Sequence, residues 1–152
     1  MIVLVEVDKD IKNLNKYLEG IYMAINTFEH YVSMAKEEKN LSLLKDIELQ
    51  FKSSAVDIIN RIIDLGGKSK DEASLIGKVS ETFINIKDKI MVQNDDQLLT
   101  EAYKYIETGL KMGNKFLNEN ELTTKSREIV VQDLKKQNAL LDTFPSKIPL
   151  KK

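Results

Sequence analysis

The chain has 152 residues, 42% of them hydrophobic and 31% charged, with 23 Lys and Arg against 24 Asp and Glu for a net charge of −1. A chain of this length buries roughly 70% of the surface it exposes when unfolded, so one domain spanning residues 1–152 is expected. The balanced, finely alternating charge excludes the basic footprint of a nucleic-acid binder, and the absence of cysteine excludes disulfides, thiolate metal sites and a cysteine nucleophile.

Met1 to Val7 reads MIVLVEV, a β-branched run without a basic lead or a small-residue cleavage site and too short to span a bilayer. Residues 1–8 are therefore expected to form an ordered N-terminal arm, a strand or an extended segment, packed on the rest of the protein or on a second subunit. Asp8 is placed to cap a first long helix. In it Ile11, Leu14, Leu18, Ile21, Ile25, Phe28 and Val32 recur at alternating spacings of three and four, an apolar seam that no charged residue interrupts.

This helix is expected to run to about Lys36, and the short break Glu37 to Asn40 forces an antiparallel neighbour, with Asn40 as its N-cap. The second helix carries Leu44, Ile47, Phe51, Ile58, Ile62 and Leu65 inward and stops at Gly66-Gly67, where a glycine can take the left-handed conformation. Ser69-x-x-Glu72 then reads as a capping box opening a shorter helix with Leu75, Val79, Phe83, Ile86 and Ile90 on one face.

After a turn at Val92 to Asp96, a third long helix places Leu99, Ala102, Ile106, Leu110 and Leu117 inward. Gly109 and Gly113 lie one turn apart in it, marking either close approach by a neighbour or exposed positions that tolerate glycine. Asn118 to Asn120 ends that helix, and Thr123 or Thr124 caps a fourth with Val130, Leu134, Gln137, Leu141 and Phe144 at bundle spacing. The tail 145–152, with Pro145 and Pro149, is expected to be extended or frayed. Two short turns around one long crossover make the second and third long helices parallel, an up-down-down-up four-helix bundle.

Several stretches resemble a bacterial ferritin-like family of unknown function: Leu14-Asn-Lys-Tyr-Leu-Glu19, Ile62-Ile-Asp-Leu-Gly-Gly67, Ser74-Leu-Ile-Gly77 followed by Ile86-Lys87, and the acidic start of the third long helix. The likeness spans roughly residues 11 to 142. It implies a ferritin-like all-α fold and no established activity.

Di-iron bundles draw a Glu from each of two helices and a Glu-x-x-His from each of the other two. This chain has one histidine, His30, preceded three residues earlier by Thr27, and the seam lies on the opposite side of the helix. His30 reads as a solvated surface residue. Ile25 stands at about the depth of the first-helix glutamate, with Phe28 beside it, and the second helix offers Phe51, Ser54 and Ala55. The ligand positions read as overwritten by core.

Glu19, Glu29, Glu48, Glu101 and Glu107 flank the seams and are the residues from which a degenerate carboxylate metal site would be built. Gln137 is expected to face inward and bond Ser54 or Tyr105, while Tyr17, Tyr22, Tyr31 and Tyr103 could line a dimer surface. No basic amphipathic face, nucleophile elbow or phosphate-cradling glycine loop is present. The expected reading is a cytoplasmic structural or protein-interaction module without metal or cofactor, homodimeric, more in keeping with a non-enzyme, and binding neither nucleic acid nor membrane. The alternative is a metal-binding or iron-handling protein.

Overall fold

The computed structural model describes residues 4–71, 94–146 and 148. Among these residues four α-helices pack around a shared core: α1 (Leu4–Met34), α2 (Glu38–Asp64), α3 (Asp95–Glu119) and α4 (Thr124–Leu140), followed by a 3-10 turn, Leu141–Thr143. Among the described residues there is no strand. The capping box completed by Glu72, the shorter helix over Leu75 to Ile90 and most of the tail lie outside the described residues.

The seam on α1 forms as its spacing requires. Leu14, Leu18, Ile21, Ile25 and Phe28 are buried against Leu44, Ile47, Phe51, Ile58 and Ile62 of α2 and Leu98, Leu99, Ala102 and Ile106 of α3. The segment preceding it differs from expectation. The helix begins at Leu4 and passes through Asp8, so the described part of the 1–8 arm is helical. Once a helix exists, each added residue forms another backbone bond, and valine costs only a few tenths of a kcal/mol there, about 0.5. Glu6 in the first turn complements the helix dipole. Leu4 and Val5 remain largely exposed, so packing does not hold this turn.

Asp95, at the start of α3, accepts hydrogen bonds from Lys36 N at 3.0 Å, Glu37 N at 2.8 Å and Asn40 Nδ2 at 3.0 Å. These bonds draw the backbone out of α1 two residues before Lys36. They also engage Asn40, which lies inside the first turn of α2 instead of capping it. Asn94 caps α3, accepting from Gln97 N at 2.9 Å. Because the start of α3 is tied to the α1–α2 turn, α2 and α3 begin at the same end and run parallel.

At the opposite end, α2 closes with Gly66 N bonded to Ile63 O at 2.8 Å and Gly67 N to Ile62 O at 3.0 Å, the paired bonds of a Schellman motif. Gly66 supplies the left-handed residue at φ 82°. A Cβ on Gly67 would lie 2.7 Å from Ile11 Cδ1, so the glycine also admits α1. The two third-helix glycines separate: a Cβ on Gly113 would run into Leu134 of α4, whereas Gly109 faces open space.

Phe144 is buried beyond the 3-10 turn, its ring edge-on to Tyr103 at 5.4 Å. The expectation of a wholly extended or frayed tail fails at Ile148, which is 3% exposed; its N–H bonds Pro145 O at 3.3 Å, and that turn tucks the side chain into the core. Among the described residues no helix is long and apolar enough to cross a membrane.

Candidate functional site: interior carboxylates and the groove beside them

Burying an ionised carboxylate is costly unless donors replace its water, so the buried acids mark where the bundle departs from a plain core. Asp133 of α4 is 5% exposed. Its Oδ2 accepts from Tyr17 Oη at 2.5 Å and Gln137 Nε2 at 2.7 Å, and its Oδ1 accepts from Ser54 Oγ. Gln137 Nε2 also reaches Tyr17 Oη at 3.3 Å. Three helices thus converge on one side chain.

Burial, then the charge of Asp133 and the hydrogen bond to it, push the Tyr17 hydroxyl far above the ordinary tyrosine value; the Gln137 bond opposes them. Tyr17 therefore remains a neutral donor. A carboxylate offers roughly four acceptor positions, and three of those on Asp133 are occupied from within the chain.

A second network lies toward the α3–α4 turn. Asp10, 1% exposed, accepts from Thr123 N at 2.8 Å through Oδ1 and from Ser126 Oγ at 2.6 Å and Thr123 Oγ1 through Oδ2. Thr123 holds the N-cap position of α4, but its hydroxyl serves Asp10. Ser126 Oγ in turn accepts from Arg61 Nε at 2.9 Å, so a hydroxyl stands between the aspartate and the arginine.

Arg61 and Asp133 both line an open groove of about 450 Å³ between α2 and α4. Arg61 is 6% exposed, and its Nε is the only guanidinium nitrogen with a hydrogen-bond partner among the described residues. Among the described residues no buried side-chain nitrogen or oxygen lacks a partner. The terminal Nη groups, without a partner of their own, are therefore not sealed from solvent, on a side chain that lines the groove.

Residues singled out from the sequence occupy different places. Ile25, Phe28, Phe51, Ser54 and Ala55 are all buried, and the Phe28 ring packs against Phe51 at 5.6 Å and Tyr31 at 5.2 Å. At Ser54, however, the interior is polar, because Ser54 serves Asp133. Gln137 faces inward as its spacing predicts, but its partners are Asp133 and Tyr17, with Ser54 reached only through Asp133 and Tyr105 not engaged.

None of the five flanking glutamates is buried. Glu19 binds Lys70 Nζ at 2.7 Å, Glu48 binds Lys52 Nζ at 2.9 Å, Glu29 is exposed, and Glu101 and Glu107 are half-buried on α3. Among the described residues no three His, Asp or Glu side chains gather into a possible metal set. His30 is half-buried, not fully solvated, and Thr27 bonds Met23 O at 2.8 Å.

The four tyrosines that could line a dimer surface or mark core edges lie at the core. Tyr17, Tyr22, Tyr31 and Tyr103 are 8%, 7%, 2% and 8% exposed, spent on Asp133, on the segment after α2 and on ring contacts inside the protein. Asp10 and Asp133 were legible only in part. Asp10 lies one turn before Leu14 on the seam, and Asp133 one turn before Gln137.

Residues 9–119, well over half the chain, match the model of a family described as a domain of unknown function, DUF2383. The chain belongs to that family. The match includes Asp10, Tyr17, Ser54 and Arg61 but stops short of α4, which supplies Ser126, Asp133 and Gln137. Neither the curated proteins nor the solved structures contain a match to the chain.

Proposed function

We propose that this DUF2383 member is a ferritin-like bundle in up-down-down-up order that serves as a structural or protein-interaction module, its interior acids held by the chain's own donors in place of metal. The observation that carries the reading is the occupancy of Asp10 and Asp133, each accepting three hydrogen bonds from its own chain. A metal would have to displace these donors and leave hydroxyl and amide groups unsatisfied. The parallel course of α2 and α3 supports the ferritin-like order.

Self-association with a second copy belongs to the same reading. Leu49, Val56 and Ile63 stay more than half exposed at seven-residue spacing on α2, the repeat of an interhelical seam. Sedimentation should show a dimer that Val56→Glu dissociates; an unchanged monomer would remove self-association from the reading.

Elemental analysis of protein purified without added metal tests the interior. The expected result is metal well below one equivalent, unchanged in Glu107→Ala. Stoichiometric iron or manganese lost on that substitution would overturn the proposal in favour of an iron-handling protein.

A further inference from the structure

A guanidinium that is nine-tenths buried ordinarily has a carboxylate partner, because taking its charge out of water is otherwise costly. Arg61 has none among the ion pairs of the described residues. Ser126 fixes its Nε, and Asp10 fixes Ser126. The side chain is thus held from behind through Nε, which leaves its two Nη groups unpartnered on a residue that lines the groove between α2 and α4. Two parallel N–H donors in a fixed plane match the two oxygens of a carboxylate or phosphate.

The surroundings decide between these anions. Arg61, Lys125 and Lys136 line the groove together with four carboxylates, Asp57, Asp64, Glu128 and Asp133. Lys136 is already paired with Asp57 at 3.8 Å, and Asp133 has three internal donors. What remains for a ligand is two cations, Arg61 and Lys125, and two carboxylates, Asp64 and Glu128, one of each sign on either helix. Such a balance disfavours a dianion and favours a molecule carrying one negative and one positive group.

We propose that the groove binds a small zwitterion of the amino-acid class, its carboxylate taken by the Nη groups of Arg61 and its ammonium by the carboxylates of Asp64 and Glu128. The groove has ample volume for such a molecule, and Ile129 on its wall gives a short side chain an apolar contact. This site is separate from the metal question, since neither Asp10 nor Asp133 need give up a hydrogen bond for it.

The test is an amide NMR titration of the full 152-residue chain with L-alanine, acetate, methylamine and inorganic phosphate as separate probes. L-Alanine should shift residues in the 57–64 and 125–136 stretches saturably, with half-saturation on the order of 1 mM to 10 mM, as a small ligand with one paired contact allows. Acetate and methylamine should each bind about tenfold more weakly. Arg61→Lys, which keeps the charge but loses the fork, should weaken L-alanine by about tenfold.

Glu128→Gln, a change at an exposed position, should weaken L-alanine severalfold without altering the fold, and so keeps the test decisive if Arg61→Lys unfolds. Acetate or phosphate binding as tightly as L-alanine would overturn the assignment, as would shifts confined to other helices or no saturable shift at roughly 50 mM L-alanine.

Discussion

Tyr17 Oη donates to Asp133 Oδ2 at 2.5 Å, joining α1 to α4 across the diagonal of the bundle. Helices that are not side by side are thereby set in register by one directional bond, a constraint that apolar packing alone does not impose. Tyr17→Phe removes one of three donors and should cost about 1–2 kcal/mol. Asp133→Ala orphans the Tyr17 and Ser54 hydroxyls and the Gln137 amide together and should cost about 3 kcal/mol or more. The double variant should lose less than the sum of the two. Urea denaturation measures all three, and strictly additive losses would sink the view that the pair acts as a unit.

The apolar half of this arrangement was readable from the sequence, the polar half only at Gln137. Leu14, Leu18, Ile21, Ile25 and Phe28 announce their burial by spacing, since each is inward whatever it meets. Asp133 is inward only because Tyr17 and Ser54, 116 and 79 residues away in sequence, bring donors to it. On α4 itself only its place one turn before Gln137 hints at that. The same holds for Asp10 and Asp95, whose donors come from the far turns. The start of α1 eluded the sequence for another reason. Asp8 is as acceptable in an early helical turn as at a cap, so residues 4–8 contain no signal that stops propagation.

Alkaline stability should follow the buried phenols. Burial comes first among the causes that raise Tyr17, Tyr31 and Tyr105; the Asp133 charge adds to it at Tyr17, and the neighbouring Tyr105 and Glu101 add to it at Tyr31. The unfolded chain ionises these groups near the ordinary value of 10.0. A folded value above the unfolded one means the contribution is fully present below pH 10.0 and lost as pH rises toward the folded value. Each phenol should add a slope of roughly 1 kcal/mol per pH unit there. Phenolate absorbance should therefore appear for these three residues only as the protein unfolds; their titration in a still-folded chain would contradict it.

Asp95 governs the acid side by the opposite sign. Burial works against its ionisation, but the Asn40 amide and the Glu37 and Lys36 backbone N–H groups outweigh burial and hold its carboxyl below the usual 3.8. Its contribution is present above pH 3.8 and disappears as pH falls through the lower folded value. Asp95→Asn keeps one accepting oxygen but points an NH2 at N–H donors, so it should cost about 2 kcal/mol at neutral pH. The variant's stability should also change less than wild type between pH 5 and pH 3, roughly the window of carboxylate titration. Thermal melts across that window decide the matter.

Asn15 holds the chain after α2 against α1 as a strand edge would. Its amide donates to Lys68 O at 3.0 Å, and its Oδ1 accepts from Lys70 N at 2.7 Å. Asn15→Leu should release this segment, speeding amide exchange at Lys70 at least about tenfold, as loss of about 1.4 kcal/mol of local stability implies. The nearby Glu19–Lys70 pair is a weaker tether, because both partners are solvent-accessible. Glu19→Gln should change stability by no more than about 0.5 kcal/mol.

Gly109 and Gly113 make opposite predictions from the same helix. At Gly109 nothing lies within 4 Å of an added Cβ, so Gly109→Ala should stabilise by about 0.5–1 kcal/mol through the lower backbone entropy of the unfolded chain. At Gly113 the Cβ would overlap Leu134, itself 6% exposed and unable to swing into solvent without losing its burial. Overpacking of about 1–3 kcal/mol should exceed the propensity gain and leave Gly113→Ala destabilised by about 1 kcal/mol. Leu134→Ala opens that space, so Gly113→Ala in its background should turn stabilising. A double-mutant cycle by thermal denaturation reads the sign, and a Gly113→Ala penalty that survives Leu134→Ala would mean the glycine serves something other than the approach of Leu134.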